Sequence, residues 1–139
     1  LWALSSMGHG EKLVIVDRNF PAHDVVRHTS SGELIELPGL DIPQTARVTL
    51  SVMPLDDFIP NPLACMQVVG EPDTVLPMQK EVHDMAIQAE GRALGMDRLE
   101  RFAFYEAAKT AFAVVRTSEF RPYGCFIFTM GVIFDTGNA

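Results

Sequence analysis

The stretch MGHGEKLVIVDRNFPAH, Met7 to His23, carries the reading of the fold. Its centre, KLVIVD (Lys12–Asp17), is a short continuous apolar run rich in Val and Ile. Bounded by Gly10 and the RNFP turn, it reads as a strand buried on both faces, the signature of a sheet with helices on each side. Asp17 ends the run, and ligand sites in open α/β sheets gather at the carboxyl ends of strands. On the near side His9 stands between Gly8 and Gly10. Two residues without a Cβ let the backbone approach a ligand closely.

Upstream, Leu1, Trp2 and Leu4 form an amphipathic segment that closes at Gly8 and resembles the middle of a helix, so a truncated N-terminal helix is expected. Downstream, DVVRHT (Asp24–Thr29) reads as a second, weaker strand closed by the SSG turn. DIPQTARVTLSVM reads as a helix with Asp41 as N-cap, Pro43 in its first turn, and Ile42, Ala46, Leu50 and Met53 on one face. Pro54 stops it. LACMQVV (Leu63–Val69) reads as a buried strand ended by GEPD. TVLPMQKEVHDMAIQAEGRALG (Thr74–Gly95) gives the clearest helical period, with Val75, Met78, Val82, Met85 and Ala89 recurring at threes and fours. His83 falls on its polar side. LERF is ambiguous, YEAAKTA is helical, and FAVVRT (Phe112–Thr117) and YGCFIFTMGVIF supply the last strands. The tail DTGNA has nothing to bury and is expected to fray. Alternating strands and helices predict an α/β fold, a three-layer sandwich forming a single domain over residues 1–139.

Bulk properties narrow the function. The chain has 139 residues, 47% of them hydrophobic, which suffices for one core and not for two. Its net charge of −7 and the lack of any basic cluster argue against nucleic acid and anionic membranes as partners. Runs such as FAVV and CFIF fall far short of the roughly 20 residues that span a bilayer. No leader pattern supports secretion. Cys65 and Cys125, without a zinc spacing, read as reduced thiols of a cytoplasmic protein.

Four places combine a polar side chain with backbone freedom. His9 can offer an imidazole for acid–base work near neutral pH, or it decorates a glycine helix end. Asp17 can bind a ligand at its strand end, or it caps the RNFP turn. Arg101 in RFAFYE can hold sugar or carboxylate oxygens with its planar fork, or it pairs in solvent with Glu100 or Glu106. Tyr123 with Gly124 in RPYGCF can project a hydroxyl into a cleft, or it covers an edge. The spacing His9…His23…His28 fits no metal motif, so no metal is expected. There is no nucleophile elbow, GxGxxG or P-loop, so no nucleotide cofactor is indicated.

MGHGEKLVIVDRNFPAH, then RFAFYEAAKTAFAVVRTSEFRPYG and a closing MGV, resemble the RbsD/FucU family, closest to its L-fucose mutarotase branch. The resemblance spans nearly the whole chain, more loosely from about Val25 to Arg98. It implies an isomerase that interconverts sugar anomers without cofactor or metal, in a ring-like homo-oligomer, typically a decamer. It implies His9 as the proton-transfer residue, with Asp17, Arg101, Tyr123, Gly124 and Cys125 as sugar-binding positions and Tyr123 as a second proton-transfer or orienting group. Cys125 stands where the family usually has asparagine, and a thiol does not replace an amide that donates and accepts. TSE stands for the common TGE, and Thr129–Met130 replace a pair that is often lysine; both changes read as surface drift. Two rival expectations are a non-catalytic sugar-binding or transport-accessory protein and a D-ribose pyranase. The arginine of RFAFYE and the NFPAH segment favour the fucose-like branch.

Overall fold

The computed structural model describes residues 1–133. Eleven elements alternate along them: α1 (Trp2–Ser6), β1 (Lys12–Val16), α2 (Ala22–Val26), β2 (Leu34–Leu37), α3 (Ile42–Val52), β3 (Leu63–Met66), α4 (Pro77–Glu90), β4 (Met96–Leu99), α5 (Arg101–Lys109), β5 (Ala113–Thr117) and β6 (Cys125–Thr129). The strands form one sheet in the order β2-β5-β1-β6-β3-β4. β1, β2, β3, β4 and β5 run parallel, and β6 runs against its neighbours β1 and β3.

β1 behaves as its composition dictates. Leu13 and Ile15 enter a core shared with α1, α3 and α4, while Val14 and Val16 enter a second core shared with α2 and α5. Side chains of a strand alternate between faces, so only a continuous apolar run satisfies both cores. Each fully buried aliphatic side chain contributes about 1.5–3 kcal/mol, which fixes the strand's register between its two helical layers. The three-layer α/β sandwich expected from the sequence is present.

Local chemistry sets the helix ends. Asp41 accepts from Gln44 N at 2.9 Å and Gln44 Oε1 accepts from Asp41 N at 3.0 Å, closing a capping box at the start of α3. α4 begins at Pro77, not at Thr74, and its C-cap Gly91 adopts φ +68°. The residue before a proline avoids the helical region, and a glycine in the left-handed region ends the helix. Val75 therefore lies outside the helix and is exposed; the buried stripe runs through Met78, Val82 and Ala86. His83 is half-buried rather than solvated, and its Nε2 contacts the Leu94 carbonyl at 2.7 Å.

Three readings change. The segment read as a strand over Asp24–Thr29 is α2, which buries Ala22, Val25 and Val26 at helical spacing after Pro21. Its adjacent valines favour a strand locally, and packing on α5 and β5 overrides them. β2 and β4 were not anticipated: both are four-residue edge strands, with Glu36 in one and Asp97 exposed in the other. Charge on an edge guards against pairing with other chains and also erases the apolar signal. β3 ends at Met66, three residues short of its expected limit, because Val68 and Glu71 pair as a turn. The tail DTGNA lies outside the described residues.

Candidate active site

The six candidate residues fall into two groups at opposite ends of β1. Five lie at the carboxyl end of the parallel strands. Asp17 follows β1, Arg101 follows β4, and Tyr123, Gly124 and Cys125 lead into β6, which starts at this end because it runs the other way. His9 precedes β1 at the far end. The five residues of β1 alone span about 16 Å, so one chain does not bring His9 to the others.

Asp17 organises the first group. Its Oδ1 accepts from Asn19 N at 3.0 Å and Phe20 N at 3.1 Å, folding the RNF turn. Its Oδ2 accepts from Gly124 N at 3.1 Å and from the Cys125 thiol at 3.7 Å. The residue is 4% exposed, and burial pushes its carboxyl above the ordinary aspartate value against the pull of the Asn19, Gly124 and Phe20 amides. Asp17 thus caps its turn, as one of its two sequence readings has it, and from the end of β1 it also holds the Gly124 amide and the Cys125 thiol.

Tyr123 adopts φ +62°, the sole positive φ outside glycine among the described residues. A tyrosine pays for that conformation only where its surroundings demand it, and such outliers cluster at functional sites. Here Val69 N donates to its hydroxyl oxygen at 3.1 Å, and Gly124 is wedged between neighbours. A Cβ at Gly124 would stand 3.1 Å from Ile42 and 3.3 Å from Glu119. Cys125 is buried, its thiol directed to Asp17, and burial pushes that thiol well above its ordinary value. Arg101 is exposed at the first position of α5, its guanidinium 4.7 Å from the Phe102 ring centre. Glu100 accepts from Phe102 N and Ala103 N as N-cap rather than pairing with Arg101.

Beneath this group lies Glu119, which sequence reasoning passed over as part of the TSE change. Its carboxylate accepts from Ile42 N at 3.2 Å, at the head of α3, and from the Arg121 side chain at 2.9 and 2.7 Å. These bonds, led by Arg121, hold its carboxyl down at about 2. Its carbonyl accepts from Arg18 N, tying the β5 end to the turn after Asp17. Thr129 and Met130 are also buried, so that change is interior and not surface drift.

At the other end, Gly10 takes φ +85° and donates its N–H to the Met130 carbonyl. This turn sets out the His9 side chain, 45% exposed, with Nε2 3.0 Å from Asp56 Oδ1. The Phe58 ring lies 5.0 Å from the imidazole and is itself exposed. Neither Asp56 nor Phe58 was a candidate from sequence, since PLDDFIP lies 47 positions from His9 and holds no motif linking them.

Ligand sites of open α/β sheets gather at the carboxyl ends of the strands, the end at which Asp17, Arg101 and the strained Tyr123 turn stand. The chain belongs to the RbsD / FucU transport protein family, whose model matches residues 1–133. It is 39% identical to the fucose mutarotase of Mus musculus over 96% of this chain and 87% of that one. FucU from Bifidobacterium longum superposes with a TM-score of 0.87 at 32% identity, covering 96% of this chain and 92% of that chain. The fucose mutarotase of Streptococcus pneumoniae, solved with L-fucose, superposes at 0.82 with 30% identity, covering 96% and 91%.

Proposed function

We propose that this chain, acting as one domain, is a mutarotase that interconverts the α and β anomers of L-fucose, with each site completed by a second copy. The observation that carries the reading is the split described above. An imidazole with one nitrogen fixed and its ring half open to solvent stands at one end, and the polar cluster stands at the other. Kinship with proteins named fucose mutarotase supplies the substrate.

In this reading a proton leaves the anomeric hydroxyl while another reaches the ring oxygen. The C1–O5 bond breaks to give the open aldehyde, the carbonyl rotates, and closure occurs on its other face. Protons are exchanged with no net gain or loss. His9 exchanges the proton, a step worth on the order of 10²–10⁴-fold when the group is positioned. Asp17 and Arg101 hold hydroxyls, and the Tyr123 hydroxyl, whose oxygen accepts from Val69 N–H, keeps its own proton to donate.

Head-to-tail contact between copies would bring His9 of one to the Asp17 group of the next, and such a contact forms a ring when the rotation from copy to copy closes. Apolar surface at both ends suits this: Phe58 and Ile59 are exposed near His9, and Val69, Phe102 and Phe120 near the Tyr123 end. A cytoplasmic ring, a decamer by the family's pattern, is the assembly we propose.

Anomer exchange followed by NMR for L-fucose and D-ribose, with wild type and His9→Ala, tests the activity. Accelerated fucose exchange that His9→Ala abolishes is expected. Sugar binding without exchange would leave a binding protein, and rapid ribose exchange with inert fucose would reassign the substrate. Dissociating and reassembling His9→Ala with Arg101→Ala should restore about a quarter of wild-type exchange, the fraction of interfaces that pair two intact halves at random. No recovery would place the site within one chain.

A further inference from the structure

We propose that Asp56 is the positioning residue for His9: it holds the imidazole by Nε2, so that Nδ1 is the nitrogen that exchanges the proton with the sugar. The inference rests on the mutarotase reading for what His9 does, and on geometry for how the ring is set.

The placement of Asp56 is over-determined. Its backbone N–H donates to the Thr129 carbonyl at the end of β6, and its carbonyl accepts from Arg92 Nη2 at 3.2 Å. Arg92 is itself held by Glu90 at 3.2 Å, and Glu90 Oε2 accepts from Leu55 N. The Asp56 side chain is 6% exposed, and the oxygen that meets His9 also accepts from Phe58 N at 3.0 Å. That second bond pins the carboxylate and, in the same turn, places the Phe58 ring beside the imidazole. His9 thus has a buried acceptor on one side and the tilted Phe58 ring beside it, while its own backbone sits between glycines.

A carboxylate only accepts hydrogen bonds, so the nitrogen facing it carries a proton in the neutral ring. Burial pushes the Asp56 carboxyl up, yet the Phe58 amide, His9 and Arg92 outweigh it and hold the group below the ordinary aspartate value. The facing partner is therefore the anion. With Nε2 protonated, Nδ1 bears the lone pair as base; after taking a proton, Nδ1–H is the acid. One nitrogen alternates between the two roles without the ring turning over, which suits a reaction that removes and returns a proton within one sugar. A partner for the second nitrogen fixes tautomer and orientation in many histidine sites. The other charged group on this turn, Glu11, bonds Gly8 N at 2.8 Å and braces the backbone instead.

The test reads the tautomer directly. Long-range ¹H–¹⁵N NMR of the ¹⁵N-histidine protein, with His9 assigned by its loss in His9→Ala, should show the neutral ring protonated at Nε2. A neutral ring protonated at Nδ1 in the wild-type protein overturns the proposal, whether or not any sugar is turned over. In the fucose exchange assay, Asp56→Ala should lower kcat at least tenfold with KM changed less than threefold, and Asp56→Asn, which keeps an acceptor oxygen, should recover part of that loss. Variants that unfold the turn are recognised by loss of the Gly10 and Phe58 amide signals and are replaced by Asp56→Asn alone. Retention of wild-type kcat in a folded Asp56→Asn whose His9 tautomer has changed also overturns it. Inactive wild type with an Nε2-protonated ring would remove the mutarotase reading and leave the positioning intact.

Discussion

Replacing Glu119 by Gln removes one charge from beneath the Tyr123 turn and keeps the shape. The carboxylate accepts four hydrogen bonds: Ile42 N, Arg121 N, and Arg121 Nε and Nη2. Glutamine turns one accepting oxygen into a donor, so at least one of these donors is faced by another. Lowering a carboxyl from its ordinary 4.5 to about 2 corresponds to an upper limit of about 3 kcal/mol at 1.36 kcal/mol per unit. The Glu119 side chain is 2% exposed but the Arg121 side chain is 45% exposed. Solvent screening of the partner brings the expected loss to about 2 kcal/mol. Because the folded value lies below the unfolded one, this stability is present above pH 4.5 and is lost as pH falls toward 2. Urea unfolding of wild type and Glu119→Gln at fixed protein concentration should therefore show a gap of about 2 kcal/mol at pH 7 that narrows between pH 4.5 and pH 2. A gap below about 0.5 kcal/mol at pH 7, or one that stays flat through the acid range, would refute the assignment of this stability to the Glu119 charge.

Gly124→Ala should cost about 1–3 kcal/mol, read as a lower melting temperature, because its Cβ would press on Ile42, Glu119 and Asp17 at 3.1, 3.3 and 3.4 Å. It should also slow sugar exchange by disturbing the Asp17–Gly124 bond. Both thiols are buried, and burial pushes Cys65 up to about 12, so the native protein should resist a thiol reagent at pH 8 and react at both positions only once unfolded. Rapid labelling of either cysteine in the native protein would contradict that burial.

How much of this was legible in the sequence depends on where each residue's information lies. β1 was readable because a strand buried on both faces writes its environment into every position. α3 was readable because Asp41 and Pro43 make its first turn chemically explicit. The edge strands β2 and β4 were silent because each is half covered and carries charge, and α2 was misread because Val25 and Val26 have strand propensity that only packing reverses. The site divides in the same way. Asp17 was marked by its strand end and His9 by its glycines. The Asp56 and Glu119 contacts, in contrast, are made over 47 and 77 positions, to His9 and Ile42, by residues with no local signature. The order His9, KLVIV, Asp17 already places these two residues at opposite ends of β1, but nothing in it says which residues of other elements each end meets.

The one antiparallel strand of the sheet among the described residues, β6, runs between the two ends of β1. It begins at the strained Tyr123 turn and finishes at Thr129 and Met130, whose carbonyls hold Asp56 and Gly10. In the proposed assembly, with each site shared between copies, β6 would act as a ruler within every subunit, setting the distance between the half-site given to one neighbour and the half-site given to the other. An insertion of two residues within it would keep every side chain on its face yet lengthen the ruler by about 7 Å. That change would put the proposed assembly out of step at every junction at once, so the length of a buried strand, more than any surface residue, would set the repeat of such a ring.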